Sequence, residues 1–392
     1  MSVLTVDRVA TGWEPVRDAF LEGFEKGEEH GAGVAVYHRG RSVVDLMGGW
    51  RDKEHTQPYG DDALQVVFST TKGITSLAVA MCVERGLLDY SENVATYWPE
   101  FAAHGKANVT VAQLLSHRAG LYTVDGAISL DDALHWDTVT ERLANTAPRF
   151  PVDSVHGYHA ITFGWLAGEL VRRVTGKSLG TFVRDHIVAP LGAEFHIGLP
   201  AELEPRVARL LAHPIPKFPP DIARIMMERS APGTKGADAL GLNGAFGPGA
   251  FNKSEVHAAE VPGANGIGNA RSLARIYAAS VGEVGGVRLI GDRVRERATT
   301  NNTPDGEMDV VLISETVFAM GFMLHCDRSQ FSGPGAFGHN GAGGSVSFAD
   351  PNRSMGFSYV MNTMMTVYDE DPRRSRLVRA ATRCADAASD SQ

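Results

Sequence analysis

Apolar positions recur along this chain in three patterns, each predicting a different element. Trp13, Val16, Phe20 and Phe24 repeat at spacings of three and four, which predicts an opening helix with one buried face. Gly33 to Gly48, GVAVYHRGRSVVDLMG, gives two β-rich runs parted by Arg39-Gly40-Arg41, the pattern of a hairpin. The third pattern is Gln65 to Arg85, QVVFSTTKGITSLAVAMCVER. It carries no charge from Gly73 to Val83, and Gly86 stands where a C-cap is expected. A helix apolar on every face belongs inside a protein.

From about Tyr90 strands become scarce until about residue 310. Thr110 opens TVAQLLSHRAGL, read as a short helix with an N-cap and a stop at Gly120. Asp131 to Ala144 and Thr162 to Val174 are further helical patterns, and Leu179 to Val188 runs up to Pro190-Leu191-Gly192. Residues 201–265 are the least regular part, with Pro-rich PIPKFPPD and Gly-rich NGAFGPGAF around Phe218, Met226, Met227, Phe246 and Phe251. A binding lid and a surface excursion with its own small core both fit, so no residue there is assigned to a site. A helix, ARSLARIYAASV, follows Asn269. Strands then resume at Val317 to His325, Ser345 to Asp350 and Met355 to Asn362, and Pro372 opens a last helix to about Ala388 before a small polar tail. Strand-rich ends around a helical middle predict an α+β fold. Its antiparallel sheet lobe comprises 1–90 and 300–392, its mostly helical inserted lobe 91–299, and the apolar helix lies at the junction, a usual place for a cleft.

At 392 residues the chain has the length for two or three domains, or for one domain with a large insertion. Hydrophobic content of 43% and charged content of 21% are those of an ordinary soluble globular protein. A net charge of -9 without a basic run argues against nucleic acid or an anionic membrane surface as partner. No apolar run reaches membrane-spanning length, and MSVLTVDRVATGWEP lacks the basic-then-apolar order of an export signal, so a cytoplasmic location is expected. Cys82, Cys326 and Cys384 are isolated and odd in number, which predicts reduced packing residues. The histidines are scattered without a zinc-binding spacing, so no metal is expected, and the acyl-transfer chemistry read below needs no cofactor; oligomerisation is left open.

Chemistry enters with the first turn of the apolar helix, which carries Ser69, Thr70, Thr71 and Lys72. A lysine entering a buried helix is costly unless its charge is paired or its pKa falls. Ser69 and Lys72, three apart, share one face of that turn. A hydroxyl beside a desolvated amine at a helix N-terminus is what an acyl-transfer nucleophile needs, although a serine there is ordinarily only a cap. Tyr158, in HGYHA, is a second candidate: beside an ammonium its pKa would fall, and it could pass the serine proton to a leaving group. Phe337 to Gly344, FGHNGAGG, is dense enough in glycine for a substrate to approach the backbone, and could present the Ala342 amide with that of Ser69 to one oxygen.

Order and spacing of these stretches resemble the serine β-lactamase and penicillin-binding-protein superfamily, and within it the class C-like family VIII carboxylesterases. FSTTKGIT is similar to the Ser-x-x-Lys motif, with Ser69 as nucleophile and Lys72 as its lysine. Tyr158 matches the tyrosine of Tyr-x-Asn, and His339-Asn340-Gly341 the Lys/His-Thr-Gly strand motif, after which Ala342 supplies an oxyanion amide. Leu114 to Leu121, Gly157 to Gly176, Pro190 to Gly192 and Phe337 to Pro351 resemble the esterase-like members, and the likeness covers about residues 15–385. Two departures bear on substrate. Ala160 replaces the Asn that holds the amide side chain of a β-lactam or peptide. His339 replaces the class C lysine that receives the β-lactam carboxylate.

The resemblance therefore implies a β-lactamase-like fold and a serine esterase acting on uncharged esters of short-to-medium acyl length through an acyl-enzyme. Ser69, Lys72 and Tyr158 would be catalytic, and His339, Gly341 and Ala342 would line the oxyanion and substrate site. Whether Lys72 or Tyr158 is the base stays open. Rival readings are a β-lactamase or D-amino-acid peptidase, an acyltransferase, and a binding protein without turnover. Gly176-Lys177-Ser178-Leu179-Gly180 is a literal Gly-x-Ser-x-Gly, but it follows a helical pattern rather than a strand, so Ser178 is read as a helix cap. His117 and His159 are read as structural.

Overall fold

The hairpin forms on Arg39 and Gly40, both at positive φ (50° and 75°), as tight two-residue hairpin turns require. It pairs Gly31–His38 with Arg41–Gly49 in the computed structural model, which describes residues 3–327, 329–367 and 370–390. These two strands belong to an antiparallel sheet that runs, in order, Leu4–Val9, Arg41–Gly49, Gly31–His38, Met355–Met361, Val346–Asp350, Phe337–Asn340 and Met323–Leu324. Both ends of the chain thus complete one sheet. Alternation sorts its side chains: Val34, Val36, Val44, Phe348 and Phe357 pack with Trp13, Val16, Phe20 and Leu377. Ala35, Tyr37, Ala349 and Val360 pack with Leu273, Ala274 and Tyr277. Helices Glu14–Glu25 and Pro372–Asp390 therefore cover one face and Ala270–Val281 the other. The tail beyond Asp390 lies outside the described residues.

The apolar helix spans Thr71–Glu84, buried from Thr71 to Val83, and Gly86 at φ 69° follows it. It packs along Thr162–Thr175, the backbone of the helical part. Several sequence expectations need correcting. Val317 to His325 is not one strand. Phe318 bridges back to Met323, the Ala319 amide bonds the Phe322 carbonyl at 2.9 Å, and only Met323–Leu324 joins the sheet. The turn buries the Phe318 ring against His117, 4.4 Å between centroids, so packing overrides β-propensity.

The helix after Thr110 ends at Leu115, short of Gly120. His117 takes φ 64° because its carbonyl and Nδ1 accept the amides of Gly157 and His159. The Asp131 to Ala144 pattern breaks at His135 into Leu130–Leu134 and Trp136–Asn145. Residues 201–265 are more regular than expected, with helices Pro220–Ser230, opened by proline, and Lys235–Gly241, capped by the Thr234 hydroxyl. Pro220–Ser230 buries no residue, whereas Phe246 is buried and stacks on Phe251. Among the described residues no helix is long and apolar enough to cross a membrane.

Candidate active site

Ser69 sits one step earlier than its spacing suggested. It belongs to a single 3-10 turn, Phe68–Thr70, and the α-helix starts at Thr71. The tighter turn follows Phe68, held at φ 47°, and is tied down by the Thr71 hydroxyl, which bonds the Phe68 carbonyl and accepts the Gly266 amide. Ser69 stays half-buried while Lys72 is wholly enclosed. The Lys72 Nζ lies 2.9 Å from Ser69 Oγ and 2.6 Å from the carbonyl oxygens of both Ala160 and Gly263. No carboxylate hydrogen-bonds it among the described residues, and burial drives its pKa well below the ordinary lysine value.

Tyr158 meets this pair from the segment before Thr162–Thr175. Its ring lies under Nζ, 4.8 Å from ring centroid to nitrogen, and its hydroxyl hydrogen-bonds Ser69. The expected fall in its pKa does not occur. Burial raises it, the bond to Ser69 opposes the rise without cancelling it, and the charge of Asp309 adds to it. The ammonium that was to lower it faces the ring rather than the oxygen, and is itself disfavoured by burial.

Phe337–Asn340 is a sheet strand that runs along the Ser69 turn, as the Thr70 hydroxyl bonded to the His339 carbonyl (3.4 Å) and to Ser345 Oγ (3.2 Å) shows. Gly341 lies where a methyl group would strike Ser345 Oγ and the Val67 carbonyl oxygen, so glycine alone permits this approach. Ala342, itself exposed, then opens the turn Ala342–Gly344, whose last residue is buried. Neither the Ser69 amide nor the Ala342 amide has an acceptor among the described residues. His339 is buried, its ring over that of Tyr158 at 6.0 Å. Its Nδ1 bonds the Asn340 carbonyl at 2.7 Å, leaving Nε2 without a protein partner among the described residues. Burial, helped by the charge of Lys72, pushes its pKa down to about 3, so at neutral pH His339 offers a lone pair and no charge.

Other motif residues fall outside this group. His159 Nδ1 donates to the Gly157 carbonyl (2.6 Å) and Nε2 accepts the Leu121 amide (2.9 Å), while His117 accepts the His159 amide (3.1 Å). Both imidazoles hold the Gly157–Ala160 backbone, and burial holds both below the usual histidine pKa. Ser178 caps Leu179–Val183 and donates to Glu260 at 2.6 Å. Cys82, Cys326 and Cys384 are free thiols.

Sequence reasoning missed Asp309. Fully enclosed, it accepts the amides of Tyr158 (3.1 Å), Val311 (2.8 Å) and Leu312 (2.9 Å) and the Thr316 hydroxyl (3.3 Å). His156 Nε2 bonds Thr316 (2.9 Å), and its Nδ1 bonds Glu307 (2.6 Å), which pairs with Arg118. An acid followed by the apolar run Val310 to Ile313 was the one available signal. Asp309→Ala strands several buried donors, so unfolding in denaturant should show a loss of roughly 3 kcal/mol or more. An unchanged midpoint would mean that Asp309 does not anchor Tyr158.

The beta-lactamase family profile matches residues 16–381. The chain belongs to that family. It is 36% identical over 363 residues to the esterase/beta-lactamase LipL of Mycobacterium tuberculosis, spanning 89% of this chain and 80% of LipL. A crystal structure of a family VIII carboxylesterase superposes with a TM-score of 0.85 at 39% identity, covering 96% of this chain and 98% of the other. A penicillin-binding-protein homologue from Caulobacter crescentus gives 0.86 at 37% identity, covering 98% and 100%. The α+β fold with its antiparallel sheet is the beta-lactamase-like fold.

Proposed function

We propose that this protein is a serine hydrolase that cleaves carboxylic esters of short-to-medium acyl length through an acyl-enzyme on Ser69. One observation carries the reading: a fully buried amine contacts Ser69 Oγ at 2.9 Å and two carbonyl oxygens at 2.6 Å. A neutral amine has two N–H donors and one lone pair. With the donors committed to Ala160 and Gly263, the lone pair faces the serine hydroxyl. Lys72 is then the base. It takes the Ser69 proton as Oγ attacks the ester carbonyl, and the free amides of Ser69 and Ala342 receive the negative oxygen. Tyr158, kept protonated by burial, donates to the departing alkoxide; water then attacks the acyl-enzyme, giving its proton to the Tyr158 phenolate while Lys72 returns its own to Ser69 Oγ.

The substrate would be a small neutral ester. His339, uncharged and an acceptor at Nε2, is poorly suited to a substrate carboxylate. The likeness to a penicillin-binding-protein homologue keeps a β-lactamase or peptidase as a second reading, which nitrocefin turnover matching ester turnover would favour. A competing alcohol in the assay separates transfer from hydrolysis, because the two differ only in the acceptor. No cofactor enters this scheme, and a cytoplasmic location remains part of the proposal.

The test is p-nitrophenyl butyrate hydrolysis with mass spectrometry of the acylated protein. Ser69→Ala should lose both turnover and the acyl adduct, whereas Ser178→Ala should keep them. An active Ser69→Ala protein would end the proposal.

A further inference from the structure

The turn that carries Ala342 has little of its own to hold it. Gly343 and Gly344 take φ 81° and 129°, conformations reached because they lack a Cβ, and glycine loses more conformational freedom on ordering than any other residue. An amide that stabilises a developing oxyanion works only if its direction is set beforehand. On one side the direction is set within the turn: the Gly341 amide donates to the Ser345 carbonyl at 2.7 Å. On the other it is set by a residue far along the chain. Arg373 Nη2 donates to the Gly343 carbonyl at 2.6 Å, and the Met365 amide donates to the same oxygen at 3.2 Å.

Arg373 is only 1% exposed, an expensive place for a guanidinium unless its donors are matched. They are matched closely. Asp371 takes Nε at 3.1 Å and Nη2 at 2.7 Å in a two-pronged pair, and Nη1 donates to the carbonyls of Thr363 (3.0 Å) and Glu28 (3.4 Å). Glu29, itself bonded by the Tyr359 hydroxyl, lies 3.5 Å from Nη1. A planar fork used on both edges leaves the guanidinium one orientation. The turn rests directly on it, since a methyl group at Gly344 would come within 2.5 Å of both Arg373 Nη2 and Asp371 Oδ2.

We propose that Arg373, locked by Asp371, is a positioning residue for the oxyanion site, holding the Gly343 carbonyl so that the neighbouring Ala342 amide faces the Ser69 centre. The assignment rests on the acyl-enzyme reading and adds to it a residue that never touches substrate. Lysine at 373 keeps the charge but loses the fork. Arg373→Lys should therefore lower kcat for p-nitrophenyl butyrate by about a hundredfold with KM changed by no more than about twofold. Arg373→Ala should regain part of its kcat on addition of non-denaturing guanidinium. Gly344→Ala retains the arginine but lifts the turn off it, so it should show the same kcat loss without that rescue, and it serves if the arginine variants do not fold.

All variants are assayed below their own melting temperatures, beside Ser69→Ala. A lowered Tm with wild-type kcat in Arg373→Lys and Gly344→Ala would make the cluster purely structural and overturn the assignment. An active Ser69→Ala protein would instead overturn the esterase reading, and this assignment with it.

Discussion

Lys72→Met should reduce ester hydrolysis by about 10⁴-fold, because the only group among the described residues that hydrogen-bonds Ser69 Oγ and can act as a neutral base is removed while the volume is kept. The variant leaves the Ala160 and Gly263 carbonyls without their donor, at roughly 1–3 kcal/mol each, but also relieves the fold of a buried amine, so it should still fold. Labelling by a serine-directed phosphonate should fall in parallel. A variant keeping a tenth of the wild-type rate would not be compatible with Lys72 as the base.

The pH profile follows from the same burial. As the proposed base Lys72 would act only when neutral, so kcat/KM should rise with pH and level off well below the ordinary lysine value of 10.5. Stability has the same sign. The unfolded lysine binds a proton that the folded one rejects, so this group adds stability as pH rises toward 10.5 and removes it as pH falls toward the folded pKa. In Lys72→Met that slope should vanish from pH-dependent denaturation.

Tyr158→Phe should lower kcat by about a hundredfold or more and move KM little, because the ring and its packing against His339 and Phe318 survive while the proton donor is lost. In the wild-type enzyme the alkaline limb of the rate should come from this phenol and lie above the usual tyrosine range, since burial and Asp309 both favour the protonated form. Burial thus pushes the base down and the acid up, each toward the form its role needs. A rate that declined from neutrality upward, or a Phe variant with wild-type kcat, would remove Tyr158 from the mechanism.

How far the site could be read from the chain depended on how local each feature is. Ser69 and Lys72 were legible because residues three apart meet on one turn wherever that turn lies, and the shift of Ser69 from α to 3-10 geometry does not separate them. Tyr158 and His339 became legible only together, as stretches of a family pattern. The Ala160 and Gly263 carbonyls were not legible at all, since every residue owns a carbonyl and nothing in the sequence says which are turned inward. Nothing in the sequence singles out Arg373 beside the Pro372 that opens the last helix, and Val317 to His325 reads as a strand although Phe318 folds inward.

What the amino-acid order determined on its own was the set of short-range features: the Arg39-Gly40 hairpin, the helix uncharged from Gly73 to Val83 and ending before Gly86, the capping of Leu179–Val183 by Ser178, and the hydroxyl-amine spacing. What the tertiary structure decided was the direction in which Lys72, Tyr158 and His339 titrate, and which backbone groups stand ready around Ser69. The reason is physical. Spacing along the chain sets which side chains share a turn, but desolvation depends on the volume that distant segments close around a group, and that volume exists only once the sheet, Thr162–Thr175 and the Gly263 loop have come together.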